Sequence, residues 1–223
     1  MKIFLRIVSA AVAALFFVSC SGRKTVVEDV FSATGSRYVI VITKKDFTLE
    51  VWERDNGVVA SFRIGYGSNP DMAAKMHEGD RRTPEGIYTI NEILSMDADR
   101  SSPAYLKLRG MNKVYFRALN GHSKFREPQR DLGDNAYGPR FYGLDYPAKR
   151  DRELYRKRIE SGVIASSGGR LPGIGSGIGI HGNNDIKSIG NLSSMGCIRM
   201  YNEDVIELEQ YIRLGTPVII MAH

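Results

Sequence analysis

Three runs of β-branched and aromatic residues follow one another closely in the stretch RYVIVITKKDFTLEVWERDNGVVASFRIGYG. They cover residues 38–43, 47–53 and 58–64, and the second turn, Asp-Asn-Gly, is typical of a tight hairpin. A fourth run, at residues 87–90, follows the turn TPEG. Strands at this spacing leave little room for helices between them. The pattern therefore favours a β-sandwich or barrel over alternating βαβ units.

Helices are predicted in the second half of the chain. The charged segment AKRDRELYRKRIESG, residues 148–162, is typical of a surface helix. Asn202 can cap a second helix, whose apolar residues recur at helical spacing: Val205, Leu208 and Ile212. The segment TPVIIMA then predicts a closing strand, whereas residues 91–145 show little pattern. The expected fold class is mostly β with a few helices.

The N-terminal stretch MKIFLRIVSAAVAALFFVSC indicates export from the cytoplasm. Lys2 and Arg6 precede an apolar run, residues 7–18, that is too short to span a bilayer and is typical of a secretory signal. Cys20 resembles the lipid-bearing cysteine of bacterial lipoproteins, although an ordinary signal ending in cysteine stays open. We expect a signal peptide at residues 1–19, a lipid anchor and polar tether at 20–36, and one domain at 37–223.

The charge and the cysteine content limit the classes of function that the chain can have. The chain carries a net charge of +6, and loss of the two basic signal residues lowers it to +4. Its basic residues are scattered among acidic ones, so nucleic-acid binding is not indicated; an anionic wall polymer and a merely solvated surface fit equally well. The chain has two cysteines. With Cys20 lipidated, Cys197 lacks a disulfide partner, and it is either a reactive thiol or a small buried residue.

A histidine lies close enough in sequence to activate Cys197. His181 follows Ile178 and Ile180, which suggest a short apolar strand, and a polar loop can bring it back to the cysteine. Gly196 permits a tight turn, so that the N–H groups of residues 196 and 197 can point at an oxyanion.

Arg199 follows Cys197 by two residues and would share its face on an extended segment. It could hold a substrate carboxylate there or form a structural salt bridge.

The stretch HGNNDIKSIGNLSSMGCIRM resembles the active-site signature of the L,D-transpeptidase (YkuD-type) family, an HG pair followed by S-x-G-C-[IV]-R. RTPEGIYTI, FYGLDYP and LGTPVII resemble further family segments, so the resemblance covers about residues 38–221. Many members have a histidine directly before the Gly-Cys pair, where this chain has Met195. His181 is therefore the only histidine expected beside the nucleophile.

The resemblance implies an L,D-transpeptidase-like fold with its active site on a loop-rich face, and an enzyme that needs no metal or cofactor. Cys197 would attack the third residue of a peptidoglycan stem peptide, with His181 moving the proton and the Gly182 carbonyl orienting that ring. Ser194 would brace the turn or touch substrate. An amine acceptor gives transfer and water gives carboxypeptidase chemistry. A non-catalytic lipoprotein that binds wall peptides is the remaining alternative. The oligomeric state is not predicted.

Overall fold

A computed structural model describes residues 20–166 and 168–223 of the chain. Within these residues the fold is mostly β with few helices, as the sequence predicts. The helices are α1 (Cys20–Thr34), α2 (Pro103–Asn112), α3 (Lys149–Glu160) and α4 (Asn202–Leu208). The strands are β1 (Tyr38–Thr43), β2 (Thr48–Glu53), β3 (Gly57–Arg63), β4 (Tyr66–Gly67), β5 (Gly86–Ser95), β6 (Ser123–Lys124), β7 (Glu127–Asp131), β8 (Arg140–Leu144), β9 (Gly179–His181), β10 (Leu192–Ser194), β11 (Ile198–Arg199) and β12 (Pro217–Met221).

Eight strands form one mixed sheet in the order β11–β9–β8–β5–β12–β1–β2–β3. The long strand β5 joins its two halves, pairing with β12 through residues 86–89 and with β8 through residues 90–95. The register shifts between Ile90 and Glu92, and such an irregularity bends a strand and lets a sheet curl. The main hydrophobic cluster draws on both halves, including Ile42 of β1 and Ile180 of β9.

Strand β1 is buried on both of its faces from Val39 onward. Because successive side chains of a strand point in opposite directions, its residues divide between two clusters. Ile40 and Ile42 belong to the main cluster, whereas Val39 and Val41 belong to a second cluster on the other face of the sheet. A strand covered on both sides lies inside the domain, with β12 parallel to it on one edge and β2 antiparallel on the other.

Helix α1 covers that second face, which corrects the expectation of a polar tether at residues 20–36. Val27, Val30 and Phe31 share one side of the helix and are buried against β1 and β12. Arg54 donates from Nη2 to the carbonyl of Phe31 at 2.7 Å and fixes the end of the helix. The sequence does not predict this packing because only three apolar residues of the helix cover the face of the sheet.

The expected signal, residues 1–19, lies outside the described residues, and lipidation of Cys20 stays a prediction. No helix in the described part of the chain is long and apolar enough to cross a membrane.

Most other expected elements are present. Strand β1 has the predicted bounds, α3 occupies most of residues 148–162, and β12 is the closing strand. Strand β5 extends to Ser95, beyond the predicted end at residue 90. Asn202 is the first residue of α4 and not its cap, a position that Tyr201 takes. Residues 91–145 contain α2, the β6–β7 hairpin and β8, for which the residue pattern gave no prediction.

Candidate active site

Two short parallel strands bring the predicted residues together. Strands β9 and β11 pair with His181 opposite Arg199, and Cys197 directly precedes β11. Alternate residues of a strand share a face, so Cys197 and Arg199 point to the side on which His181 lies. The expected apolar strand before His181 is present, with Ile178 and Ile180 buried.

His181 is only 3% exposed and is held by its own loop and by two aromatic rings. Its Nδ1 lies 2.5 Å from the carbonyl oxygen of Gly182, so Nδ1 carries the proton and Nε2 is left as the basic nitrogen. The ring stacks on Phe141, with centroids 5.9 Å apart, and contacts Tyr137 at 5.0 Å. Burial, together with the charge of Arg199, lowers the pKa of His181 to about 3, against the opposing hydrogen bond to Gly182. The imidazole is therefore neutral at pH 7.

Cys197 is half-buried and holds a protonated thiol at rest. Its Sγ donates to the carbonyl of Gly177 at 3.5 Å. Burial raises the pKa of the Cys197 thiol, although the Gly179 N–H and the charges of Arg199 and Lys75 act in the opposite direction. Together with the neutral imidazole, this gives a neutral thiol–imidazole pair and not a preformed ion pair.

The hydroxyl of Ser194 holds together the turn that ends at Cys197, residues 194–197, here called the nucleophile turn after the role expected for Cys197. Its Oγ donates to the carbonyl of Cys197 at 2.5 Å and accepts the N–H of Gly196 at 3.0 Å. Of the two N–H groups expected to face an oxyanion, that of Gly196 is therefore already bound. The N–H of Cys197 has no acceptor among residues 20–166 and 168–223. The turn offers one free donor where the sequence predicted two.

Gly196 occupies a position that only glycine fits. Its φ of +137° lies in a region that side chains rarely adopt, and an added Cβ would come 2.9 Å from the Arg82 carbonyl oxygen. Gly182 is equally confined, since a Cβ there would clash with the side-chain oxygen of Asn202 and with Pro139. Asn202 accepts the N–H of Asn183 at 2.9 Å, which fixes the loop that follows His181.

Arg199 is 8% exposed and forms no ion pair with an acidic side chain of the described residues. Its Nη1 donates to the carbonyl of Ser193 at 3.1 Å, and its buried Nε has no acceptor in the part of the chain that the structure describes. No carboxylate of the described residues pairs with it, so the alternative of a structural salt bridge is not observed there. Burial lowers the pKa of Arg199, while the negative charges of Cys197, once its thiol ionises, and of Asp185 oppose this.

Two residues beside the site were not found from the sequence. Thr83, from the TPEG turn, donates its hydroxyl to the Gly196 carbonyl at 2.8 Å. Tyr137 packs on His181, and burial, together with the negative charge that Cys197 acquires when its thiol ionises, raises the pKa of the Tyr137 phenol. The TPEG motif could have drawn attention to Thr83, whereas Tyr137 lies in residues 91–145, where the residue pattern gave no prediction. Met195, which replaces the second histidine of many members, is exposed at the edge of the turn.

The loop before Thr83, residues 71–82, is held together by ion pairs of its basic side chains. Lys75 is buried and pairs with Asp80 at 2.9 Å, and Arg82 pairs with Asp71. Of its three basic side chains, Arg81 is the exposed one. In residues 20–166 and 168–223, no three His, Cys, Asp or Glu side chains cluster as metal ligands.

Two Bacillus subtilis proteins that are similar to this chain are named as putative L,D-transpeptidases. The protein called "Putative L,D-transpeptidase YqjB" of Bacillus subtilis (strain 168) is 41% identical over 136 residues, which are 61% of this chain and 59% of that protein. "Putative L,D-transpeptidase YkuD" of the same organism is 57% identical over 42 residues, 19% of this chain and 26% of that protein. Each match thus spans less than two thirds of the relative's length.

Similarity extends to a solved structure and to a family profile. The structure of Bd1075 from Bdellovibrio bacteriovorus superposes with a TM-score of 0.50 at 25% identity, covering 84% of this chain and 49% of that one. The profile of the YkuD family, described as the L,D-transpeptidase catalytic domain, matches residues 36–220. The chain belongs to the YkuD family of L,D-transpeptidase catalytic domains.

Proposed function

We propose that this protein is a peptidoglycan L,D-transpeptidase that uses Cys197 as its nucleophile and His181 as its base. The observation that carries the proposal is the common face of β9 and β11, on which the thiol, the imidazole and an unpaired guanidinium lie together. Such a set suits acyl transfer because it combines a nucleophile, a proton acceptor and a group for binding an anion.

In the first step, Cys197 Sγ attacks the carbonyl at the L-centre of the third stem-peptide residue. Nε2 of His181 accepts the thiol proton and later delivers it to the leaving amine of the terminal D-amino acid. The S–C bond forms, the C–N bond breaks, and the Cys197 N–H stabilises the oxyanion. Because thiol and imidazole are both neutral at rest, the attack requires transfer of the thiol proton to His181.

In the second step, the thioester is attacked by an amine, which receives the acyl group and restores the thiol. Water in place of the amine gives a trimmed tripeptide by the same residues. The neutral imidazole again serves as the base that accepts the proton of the attacking group.

Arg199 binds the carboxylate of the terminal D-amino acid in this proposal. Arg199 follows Cys197 by two residues of extended chain, so its side chain lies on the face of the strand from which the thiol would attack. A buried guanidinium with an unpartnered Nε forms strong hydrogen bonds to a carboxylate.

We further propose that the protein is exported and held at a membrane by lipid on Cys20. The support is the sequence: a charged flank, an apolar run too short to span a bilayer, and the cysteine after it. The protein would then act in the cell envelope, where stem peptides are found.

The proposal is tested with purified wild-type protein and Cys197→Ser, each incubated with disaccharide-tetrapeptide. We expect release of the terminal D-amino acid by the wild type alone. A cross-linked dimer identifies the acceptor as an amine, whereas a trimmed tripeptide identifies it as water and makes the enzyme a carboxypeptidase. Folded wild-type protein that binds the tetrapeptide without releasing the D-amino acid would instead identify a binding lipoprotein.

A further inference from the structure

Thr83 lies against the nucleophile turn although it is 113 residues away from Gly196 in sequence. Its side chain is 1% exposed. The hydroxyl donates to the Gly196 carbonyl at 2.8 Å and accepts the N–H of Gly67 at 3.0 Å. The Gly67 N–H and the Gly196 carbonyl can only donate and only accept, respectively. The single hydroxyl proton of Thr83 must therefore point at the Gly196 carbonyl.

The contact acts on the peptide group that carries the free donor. The Gly196 carbonyl and the Cys197 N–H belong to one trans peptide, in which the two bonds point in opposite directions. Holding the carbonyl toward Thr83 therefore aims the N–H of Cys197 away from Thr83. A peptide whose carbonyl accepts a hydrogen bond is also polarised, so its N–H becomes a stronger donor.

The support for Thr83 is rigid. Its carbonyl accepts the N–H of Lys75 at 3.2 Å, closing the loop that precedes it. Inside that loop, the carboxylate of Asp80 accepts the N–H of Met76 at 2.6 Å and that of Arg82 at 3.0 Å. A hydroxyl on such a rigid loop can hold the turn in one orientation before the reaction, so that no reorganisation is needed when the oxyanion forms.

We propose that Thr83 is the positioning residue of the oxyanion donor: through the Gly196 carbonyl it orients and polarises the N–H of Cys197. The inference rests on the proposed function, because an oxyanion forms only if the Cys197 thiol attacks a carbonyl. It assigns to the TPEG turn a role in transition-state stabilisation, which a merely structural contact would not have.

The test compares two reactions of the same thiol. Acetylation by p-nitrophenyl acetate forms an S–C bond, expels p-nitrophenolate, releases the thiol proton and passes through an oxyanion. Alkylation by iodoacetamide expels iodide and forms no oxyanion. Both rates are measured across pH for wild type, Thr83→Val and Thr83→Ser. Thr43→Val is the matched control, because Thr43 is fully buried and its hydroxyl has no partner in the described part of the chain.

We expect Thr83→Val to lower the acetylation rate roughly 10- to 100-fold, somewhat less than the loss of a whole oxyanion donor. Its alkylation rate stays within about twofold of the wild-type rate at each pH, because the surroundings of the thiol are unchanged. Thr83→Ser restores acetylation to within about threefold of wild type, since it keeps the hydroxyl. Thr43→Val changes neither rate, and thermal unfolding verifies that each variant is folded.

An equal fall of both rates in Thr83→Val would assign Thr83 to general support of the turn and overturn the proposal, as would unchanged acetylation. The result is separable from the proposed function. Wild-type protein that is acetylated at Cys197 by the ester, yet never releases a D-amino acid from stem peptides, would contradict the transpeptidase while the Thr83 comparison still gives its answer.

Discussion

Protonation of His181 should destabilise the fold in mildly acidic solution. The imidazole is 3% exposed, and its pKa falls from the ordinary 6.5 to about 3 on folding because burial and Arg199 disfavour the charged ring. Below pH 6.5 the unfolded chain binds a proton that the folded chain rejects. The stabilisation is therefore complete above pH 6.5 and is lost as the pH falls toward 3.

The magnitude follows from the two pKa values. Each pH unit between them costs about 1.4 kcal/mol, so the full effect is about 5 kcal/mol. Lowering the pH from 7 to 5 costs about 2 kcal/mol of it. The variant His181→Asn lacks this contribution, because its amide can still donate to the Gly182 carbonyl but does not titrate.

The assay is urea unfolding of wild type and His181→Asn at pH 7 and at pH 5. Acidic groups that titrate in both proteins cancel in the difference between the two pH dependences. We expect the wild type to lose about 2 kcal/mol more than the variant over this interval. Equal losses in the two proteins would refute the neutral, buried imidazole and with it the neutral thiol–imidazole pair.

Three further substitutions test the Ser194 bridge, the packing of helix α1 and the role of Arg199. Ser194→Ala leaves the Gly196 N–H and the Cys197 carbonyl unpartnered, so we expect a loss of about 2–4 kcal/mol in urea unfolding; an unchanged midpoint would contradict the bridging hydroxyl. Phe31→Ala empties the contact of α1 with the sheet and should cost about 3 kcal/mol, while iodoacetamide alkylation of Cys197 keeps its wild-type rate; a tether would show no loss of stability. Arg199→Gln should raise the KM for a tetrapeptide about 10- to 100-fold, and should change little the KM for the analogue in which a carboxamide replaces the terminal carboxylate. Equal increases for both substrates would remove the carboxylate from the role assigned to Arg199.

Local patterns predicted those parts of the fold that depend on neighbouring residues. The bounds of β1 and the position of α3 follow from β-branched runs, turn residues and charge, which act over a few positions. Helix α1 was missed because its apolar face is narrow. Val27, Val30 and Phe31 become significant only when both faces of β1 are known to be buried.

The active site likewise has residues that local sequence patterns predict and contacts that they do not. Cys197, His181 and Arg199 are recognisable because they lie in one continuous motif on two adjacent strands. The contact of Thr83 with Gly196 joins distant segments; the TPEG motif draws attention to Thr83, but the neighbouring residues do not predict which group it contacts. The engagement of the Gly196 N–H depends on where one serine hydroxyl points, which backbone spacing does not determine.

In the proposed reaction, Cys197 forms a covalent acyl intermediate. Its most direct test is intact-protein mass spectrometry of the wild type, quenched during turnover of disaccharide-tetrapeptide, followed by peptide mapping. We expect an added mass equal to the substrate minus its terminal D-amino acid, located on Cys197 and absent from Cys197→Ala. Release of the D-amino acid by Cys197→Ala, or turnover by the wild type with the adduct on another residue, would contradict it.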